Sequence, residues 1–189
     1  VVENFEVDAL LTSLPRGHPL LGTVEKTQRC AAGTAWEWDG VRFAILHPAG
    51  AEARAKKSND LSCVLKITAG GRSMLLTGDI EKPAEAEMLT RDAALLASDV
   101  LLVPHHGSRT SSSAAFLDAV GAGTAVIPVG YRNRFGHPVA EVLERLNARG
   151  MDIRRTDQDG ALTVRLGAAE PEIEGERQSR RRYWHAAPR

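Results

Sequence analysis

The chain has 189 residues, 43% hydrophobic and 25% charged, enough for one soluble globular domain with a real core. Its 24 Lys and Arg balance 24 Asp and Glu, so no global field draws it to nucleic acid or to an acidic membrane, and any such contact is local. No apolar run approaches the roughly 20 residues that span a bilayer. Val1-Val2-Glu3 offers neither an initiator Met nor a basic signal-peptide start, as expected of a cut through a longer chain.

In chain order, Glu3 to Asp8 reads as the end of a helix, and Val7 to Ser13 as a buried strand stopped by Pro15 and Gly17. His18, before Pro19, has no other ligand type near it and reads as a solvated histidine. From Leu21 to Ala32 the pattern is weak. Thr34–Trp38 and Val41–Leu46 flank Asp39-Gly40, a two-residue hairpin signal. Trp36 and Trp38 share a face there, with core packing as the expectation and base stacking as the alternative. The polar stretch from Gly50 to Asn59, with Arg54, Lys56 and Lys57, reads as a surface loop.

Leu61–Thr68 and Ser73–Thr77 form a second hairpin across Gly70-Gly71. Glu81 to Asp92 is a helix with Pro83 in its first turn and early glutamates complementing the dipole. Asp99–Val103 is a strand, and Ser111-Ser112-Ser113 caps a helix running to about Val120. Thr124–Val129 is a strand, followed by an amphipathic helix from Val139 to Ala148 closed by Gly150. Met151–Arg155 and Ala161–Leu166 read as a last strand pair. Beyond Gly167 the apolar periodicity stops, so residues 168–189 read as a polar, disordered tail and 1–167 as the domain. The tail's Arg177, Arg180, Arg181, Arg182, Tyr183 and Trp184 form a cluster that could also grip phosphates and stack a base. Strands first and then alternating strands and helices point to an α/β layered class.

The chemistry gathers at strand ends. Asp79 follows Leu75-Leu76-Thr77-Gly78 and reads either as a metal-bridging carboxylate or as a cap of the next helix. His105-His106 close the strand through Val103. Neighbours on a regular strand point to opposite faces, so one ligates, His105 by preference, and the other orients or touches substrate. His137, after Asn133-Arg134-Phe135-Gly136, is a candidate ligand, a proton donor to a leaving group, or a histidine leading into the next helix. Ser108, Arg109 and Thr110, with the serines after them, offer hydroxyls and a cation as a phosphate-binding rim. Carboxylate and imidazole together suit zinc or manganese. Cys30 and Cys63 are not a CxxC pair, which argues against a structural zinc site. They read as free buried thiols or as a disulfide, the latter only outside the cytoplasm. No phosphate-binding Gx4GK[ST] loop, GxSxG elbow or GxGxxG turn is present.

Taken together, Leu75–Glu81, Val103–Ser108, Asn133–Pro138 and Arg155–Gly160 resemble the metallo-β-lactamase-like domain of the ComEC competence proteins. Cys30–Gly33 leading to Trp36–Val41, and Asn59–Leu65, resemble the proteobacterial branch of that family. The resemblance covers nearly everything from Val1 to about Leu166. It implies an αββα sandwich, of which this chain is mainly the C-terminal half, that binds two divalent metals and hydrolyses phosphodiesters. In that family the domain belongs to a polytopic inner-membrane channel importing single-stranded DNA, and is the proposed nuclease for the strand left behind. By position, Asp79 would be the bridging carboxylate and His105 a ligand, with His106, Asn133 and His137 lining the site.

Superfamily members carry an early HxHxDH-type motif that is not found here; the early histidines His18 and His47 do not fit it. The expectation is therefore a soluble fragment without the first half of the domain, holding at most one weak metal site and inactive alone. Its partners would be DNA, the membrane channel of the parent protein and the absent half-domain, on either side of the membrane. The alternatives are a non-catalytic DNA-docking or assembly module, and a stand-alone metallo-hydrolase of another phosphodiester.

Overall fold

The computed structural model describes residues 5–50 and 57–180. Arg54 and Lys56 of the expected surface loop lie outside these, as do Arg181, Arg182, Tyr183 and Trp184 of the tail. The elements in order are β1 (Ala9–Thr12), β2 (Lys26–Arg29), β3 (Ala35–Trp38), β4 (Val41–His47), β5 (Val64–Ala69), β6 (Arg72–Leu76), α1 (Lys82–Asp92), β7 (Val100–Leu102), α2 (Ala114–Val120), β8 (Thr124–Ile127), α3 (Ala140–Asn147), β9 (Asp152–Arg155), α4 (Thr156–Asp159), β10 (Leu162–Arg165), β11 (Glu172–Gly175) and α5 (Glu176–Ser179).

Strands β3 to β9 form one seven-stranded sheet in sequential order. The two hairpins supply its antiparallel half. Trp38 faces Val41 across Asp39-Gly40, and Ala69 faces Arg72 across Gly70-Gly71. Positive φ at Asp39, Gly40, Gly70 and Gly71 gives both turns the twist that adjoining strands need. From β6 onward the pairing is parallel, each strand returning through a helix, so β6, β7, β8 and β9 point the same way. The α/β class expected from the alternation of elements is the one observed.

Alternation along the strands sorts side chains onto two faces. Leu75, Leu101, Ala125 and Ile127 pack with Ala84, Met88, Phe116, Leu117, Val142 and Leu146 of α1, α2 and α3 in the main core. The other face carries a row set by the register: Ile45, Leu65, Leu76, Leu102 and Val126. Ile45 and Val126 of this row are buried, whereas Leu65, Leu76 and Leu102 are only half-buried.

Several expectations are corrected. Phe5 to Asp8 is not helical, and the strand expected at Val7–Ser13 is shorter and only half-buried, with Thr12 its one buried residue. It pairs in parallel with β2 in a sheet of two strands, too small to bury it. Trp36 and Trp38 are 37% and 69% exposed, because β3 is the sheet's edge strand; Trp36 stacks on Phe43 at 5.1 Å instead of entering the core. Met151–Arg155 and Ala161–Leu166 do not pair with each other. The former extends the main sheet beside β8, and the stretch between them is the short helix α4.

The expected disordered tail is also ordered up to residue 180. In β11, Ile173 faces Val164 of β10, and Glu174 pairs with Arg165 at 3.1 Å. Arg177 and Gln178 of α5 bond the Asp157 carbonyl and the Asp159 carboxylate. One inward residue between two glutamates is too little periodicity to read, and long-range pairing supplies the rest. Cys30 and Cys63 are joined by a disulfide, tying the end of β2 to the start of β5.

Candidate functional site

Because β6, β7 and β8 are parallel, the turns and loops at their C-terminal ends meet at one edge of the sheet, where open α/β sheets place their ligands. Asp79 lies just past β6. Gly78 before it has φ +57°, and a Cβ there would meet Ser62 Cβ at 2.9 Å, so the tight approach needs glycine. Ser62 Oγ accepts the Asp79 N–H at 3.2 Å and fixes the turn.

Past β7 the chain makes a tight turn from Pro104 to Gly107, not a continued strand. His105 and His106 both take left-handed backbone, with φ of 49° and 56°. Strand alternation therefore does not govern where their rings point. Left-handed residues other than glycine cost of order 1–3 kcal/mol each and gather at functional sites. The turn aims the rings differently. His106 Nε2 lies 3.5 Å from Asp79 Oδ1, while its Nδ1 is 2.6 Å from the Pro128 carbonyl at the end of β8. His105 Nδ1 instead lies 3.5 Å from Glu81 Oε1 and 3.4 Å from Thr110 Oγ1.

Glu81 was legible only as an early helical glutamate, yet it is buried beneath the rim. Its carboxylate meets Lys57 Nζ at 2.5 Å, and its N–H donates to Asp60 Oδ1 at 3.0 Å. The hydrogen bond from Lys57, aided by that charge and by His105, holds the Glu81 carboxyl below its ordinary range against the effect of burial. No local signal reveals Lys57 and Asp60 as neighbours of Glu81, because the loop that carries them folds back from β5.

His137 reaches the rim from the loop after β8, its ring centroid 6.0 Å from that of His105. Burial, then the nearby His105 and His106, push its pKa down. Asn133 holds this loop closed rather than facing the rim: its Nδ2 donates to the His137 carbonyl at 2.7 Å and its Oδ1 accepts the His137 N–H at 3.0 Å. The hydroxyl-rich segment turns inward. Ser108 is 6% exposed, and Ser111 Oγ donates to the Pro104 and Ser108 carbonyls. The fully buried Glu85 accepts the Ser112 and Ser113 N–H groups at 2.5 and 2.8 Å. Only Arg109 and Thr110 remain exposed, and Arg109 is paired with Glu141 at 3.0 Å.

Asp79 and His106 thus form a two-donor pair open to solvent. Among the described residues no group of three or more His, Cys, Asp and Glu side chains converges to hold a metal ion, so these residues offer two donors and not a full coordination set. Among the same residues no helix is long and apolar enough to cross a membrane.

Fold and motifs together define an α/β chain with acid and imidazole at its strand ends. No protein-family model matches it. Over most of its own length the chain is a homologue of the ComEC-type competence proteins. It is 40% identical over 156 residues to competence protein ComA of Neisseria gonorrhoeae, covering 82% of this chain and 22% of that protein. It is 36% identical to recombination protein 2 of Haemophilus influenzae, covering 83% of this chain and 19% of that one. ComE operon protein 3 of Bacillus subtilis is 35% identical, over 75% of this chain and 18% of its own. The chain therefore spans about a fifth of the length of these relatives. A protein of the metallo-β-lactamase superfamily from Thermotoga maritima aligns over 78% of this chain and 80% of its own, at 15% identity and TM-score 0.41.

Proposed function

We propose that this chain is one layer of the metallo-β-lactamase-like domain of a DNA-uptake protein, and that its rim contributes to a phosphodiester-handling site. The Asp79–His106 pair carries the reading. An imidazole whose Nδ1 is committed to the Pro128 carbonyl presents Nε2 as a lone pair beside a carboxylate, the usual posture of a metal-ligating histidine. In this reading His106 replaces His105 as the ligand, and His105 is held in place by Glu81. Further donors would have to come from outside the described residues, and this reading takes them from the absent half-domain, which leaves the chain alone without turnover.

The half-buried row of Leu65, Leu76 and Leu102 supports a second layer packing on that face, as in a two-sheet sandwich. The competence relatives support DNA as the substrate and a membrane channel as the rest of the parent. The Cys30–Cys63 disulfide supports a position on the oxidising side of the membrane.

Titration with Mn²⁺ or Zn²⁺ and incubation with linear DNA, RNA and small phosphodiesters test this together. The expected outcome is one weak metal site, lost in Asp79→Ala and His106→Ala and kept in His105→Ala, with no cleavage. Cleavage by the chain itself, abolished by Asp79→Ala, would overturn the inactivity, and loss in His105→Ala alone would overturn the ligand assignment. No metal binding at all would favour a non-catalytic docking module, a reading to which the two-donor limit also points.

A further inference from the structure

The loop from Gly130 to Pro138 holds Tyr131 and Phe135 64% and 69% exposed, beside the rim that carries Asp79 and His106. Large rings held in water by a rigid loop ask for a partner. Rigidity comes from the double hydrogen bond between Asn133 and His137, and from positive φ at Arg132 and Gly136. Phe135 lies over His137 with ring centroids 6.2 Å apart and planes 20° apart. His137 meets His105 at 6.0 Å, and His105 meets His106 at 6.3 Å. A ladder of rings therefore runs from the loop tip to the Asp79–His106 pair.

Guanidinium groups accompany the outer rungs. Arg132 and Arg177 lie 5.2 and 5.6 Å from the Tyr131 ring centroid, and Arg134 lies 5.1 Å from that of Phe135. Contacts of this kind are weak where water competes. A planar ligand can take the ring face while the displaced guanidinium moves to an anion.

We propose that Tyr131 and Phe135 form a stacking platform for single-stranded nucleic acid, with Arg132, Arg134 and Arg177 contacting its phosphates. Aromatic faces alternating with cations match a chain of alternating bases and phosphates. Duplex bases hide their faces in the stack, so an unpaired strand is the form recognised. A lipid surface fits less well. Between the two rings lie Arg132, Asn133 and Arg134, and membrane insertion needs a contiguous apolar face. The platform deepens the reading of the rim as a phosphodiester site, but it requires neither metal nor turnover.

Fluorescence anisotropy of the full chain with short labelled oligo(dT) and oligo(U), in EDTA, tests it, and the two oligonucleotides separate DNA from RNA. Tyr131→Ala and Phe135→Ala should each weaken binding about tenfold. Phe135→Trp should bind like the wild type, and Phe135→Leu as poorly as alanine, because leucine keeps the apolarity without the ring face. Arg132→Gln with Arg134→Gln should flatten the log–log salt dependence by about 1.4. Trp38→Ala, an exposed ring on the far edge strand, should change nothing, and circular dichroism should report every variant folded.

Absence of binding by the wild type would overturn the platform. So would undiminished binding in the alanine variants, retention in Phe135→Leu, or binding to anionic vesicles with none to oligonucleotide. Binding here is measured in EDTA and needs no metal. Failure of the metal titration therefore leaves the platform standing, and failure here leaves the ligand pair standing.

Discussion

His105 and His106 sit side by side in sequence and do different work. Each has a left-handed backbone, and the resulting turn sends one ring to Glu81 and the other to Asp79. A strand would have given opposite faces by alternation alone; the turn gives two addresses on one rim. His137 beside them has its Nδ1 buried without a hydrogen-bond partner. Burial, with His105 and His106 close by, lowers its pKa below the ordinary 6.5. Its imidazole should therefore titrate below 6.5 by NMR, and a midpoint at or above 6.5 would contradict this environment. The same shift makes stability depend on pH. The unfolded chain takes up this proton first as pH falls, so His137 favours the native state above 6.5 and that contribution is lost as pH drops through the lowered value.

At the scale of elements, the turn holding the histidines is supported from two sides. Gly107 has φ +77°, and a Cβ there would meet Pro138 Cβ at 2.6 Å, so the β7 turn and the β8 loop touch through a glycine. From below, Glu85 of α1 ties down the segment leading into α2, its carboxylate accepting two backbone N–H groups in a fully buried setting. Glu85→Ala would leave both donors buried and unsatisfied and should cost about 3 kcal/mol in urea unfolding. A loss below about 1 kcal/mol would mean that the loop holds itself. These supports were only partly legible. Ser113 as a helix cap was readable from its neighbours, but the carboxylate capping the cap lies 28 residues away.

For the molecule as a whole, the sheet has one face sealed by helices and another whose apolar row is half-buried. The disulfide spans 33 residues and joins the two-stranded β1–β2 sheet to the main one. By loop entropy alone such a closure is worth up to about 4 kcal/mol. Cys30→Ser with Cys63→Ser should therefore lower the thermal midpoint markedly, and reductant should bring the wild type to the variant's value. An unchanged midpoint under reductant would show that the β1–β2 segment adds nothing to global stability. Read as sequence, the two cysteines left thiol and disulfide equally open, since spacing does not report the distance between sulfurs in space.

Local sequence sufficed for the two hairpins, the three main helices, the α/β class and the places of Asp79, His105 and His106 just past strand ends. Each of these is a local matter of period, turn residues or caps within a few residues. Tertiary structure alone decided which histidine faces Asp79, that Lys57 and Asp60 gather on Glu81, that Ser108 turns inward, and that Glu172–Gly175 pairs with β10. It also put Trp36 on an edge rather than in a core. Such outcomes depend on backbone handedness at single residues and on contacts between distant segments, and neither leaves a periodic trace in the chain.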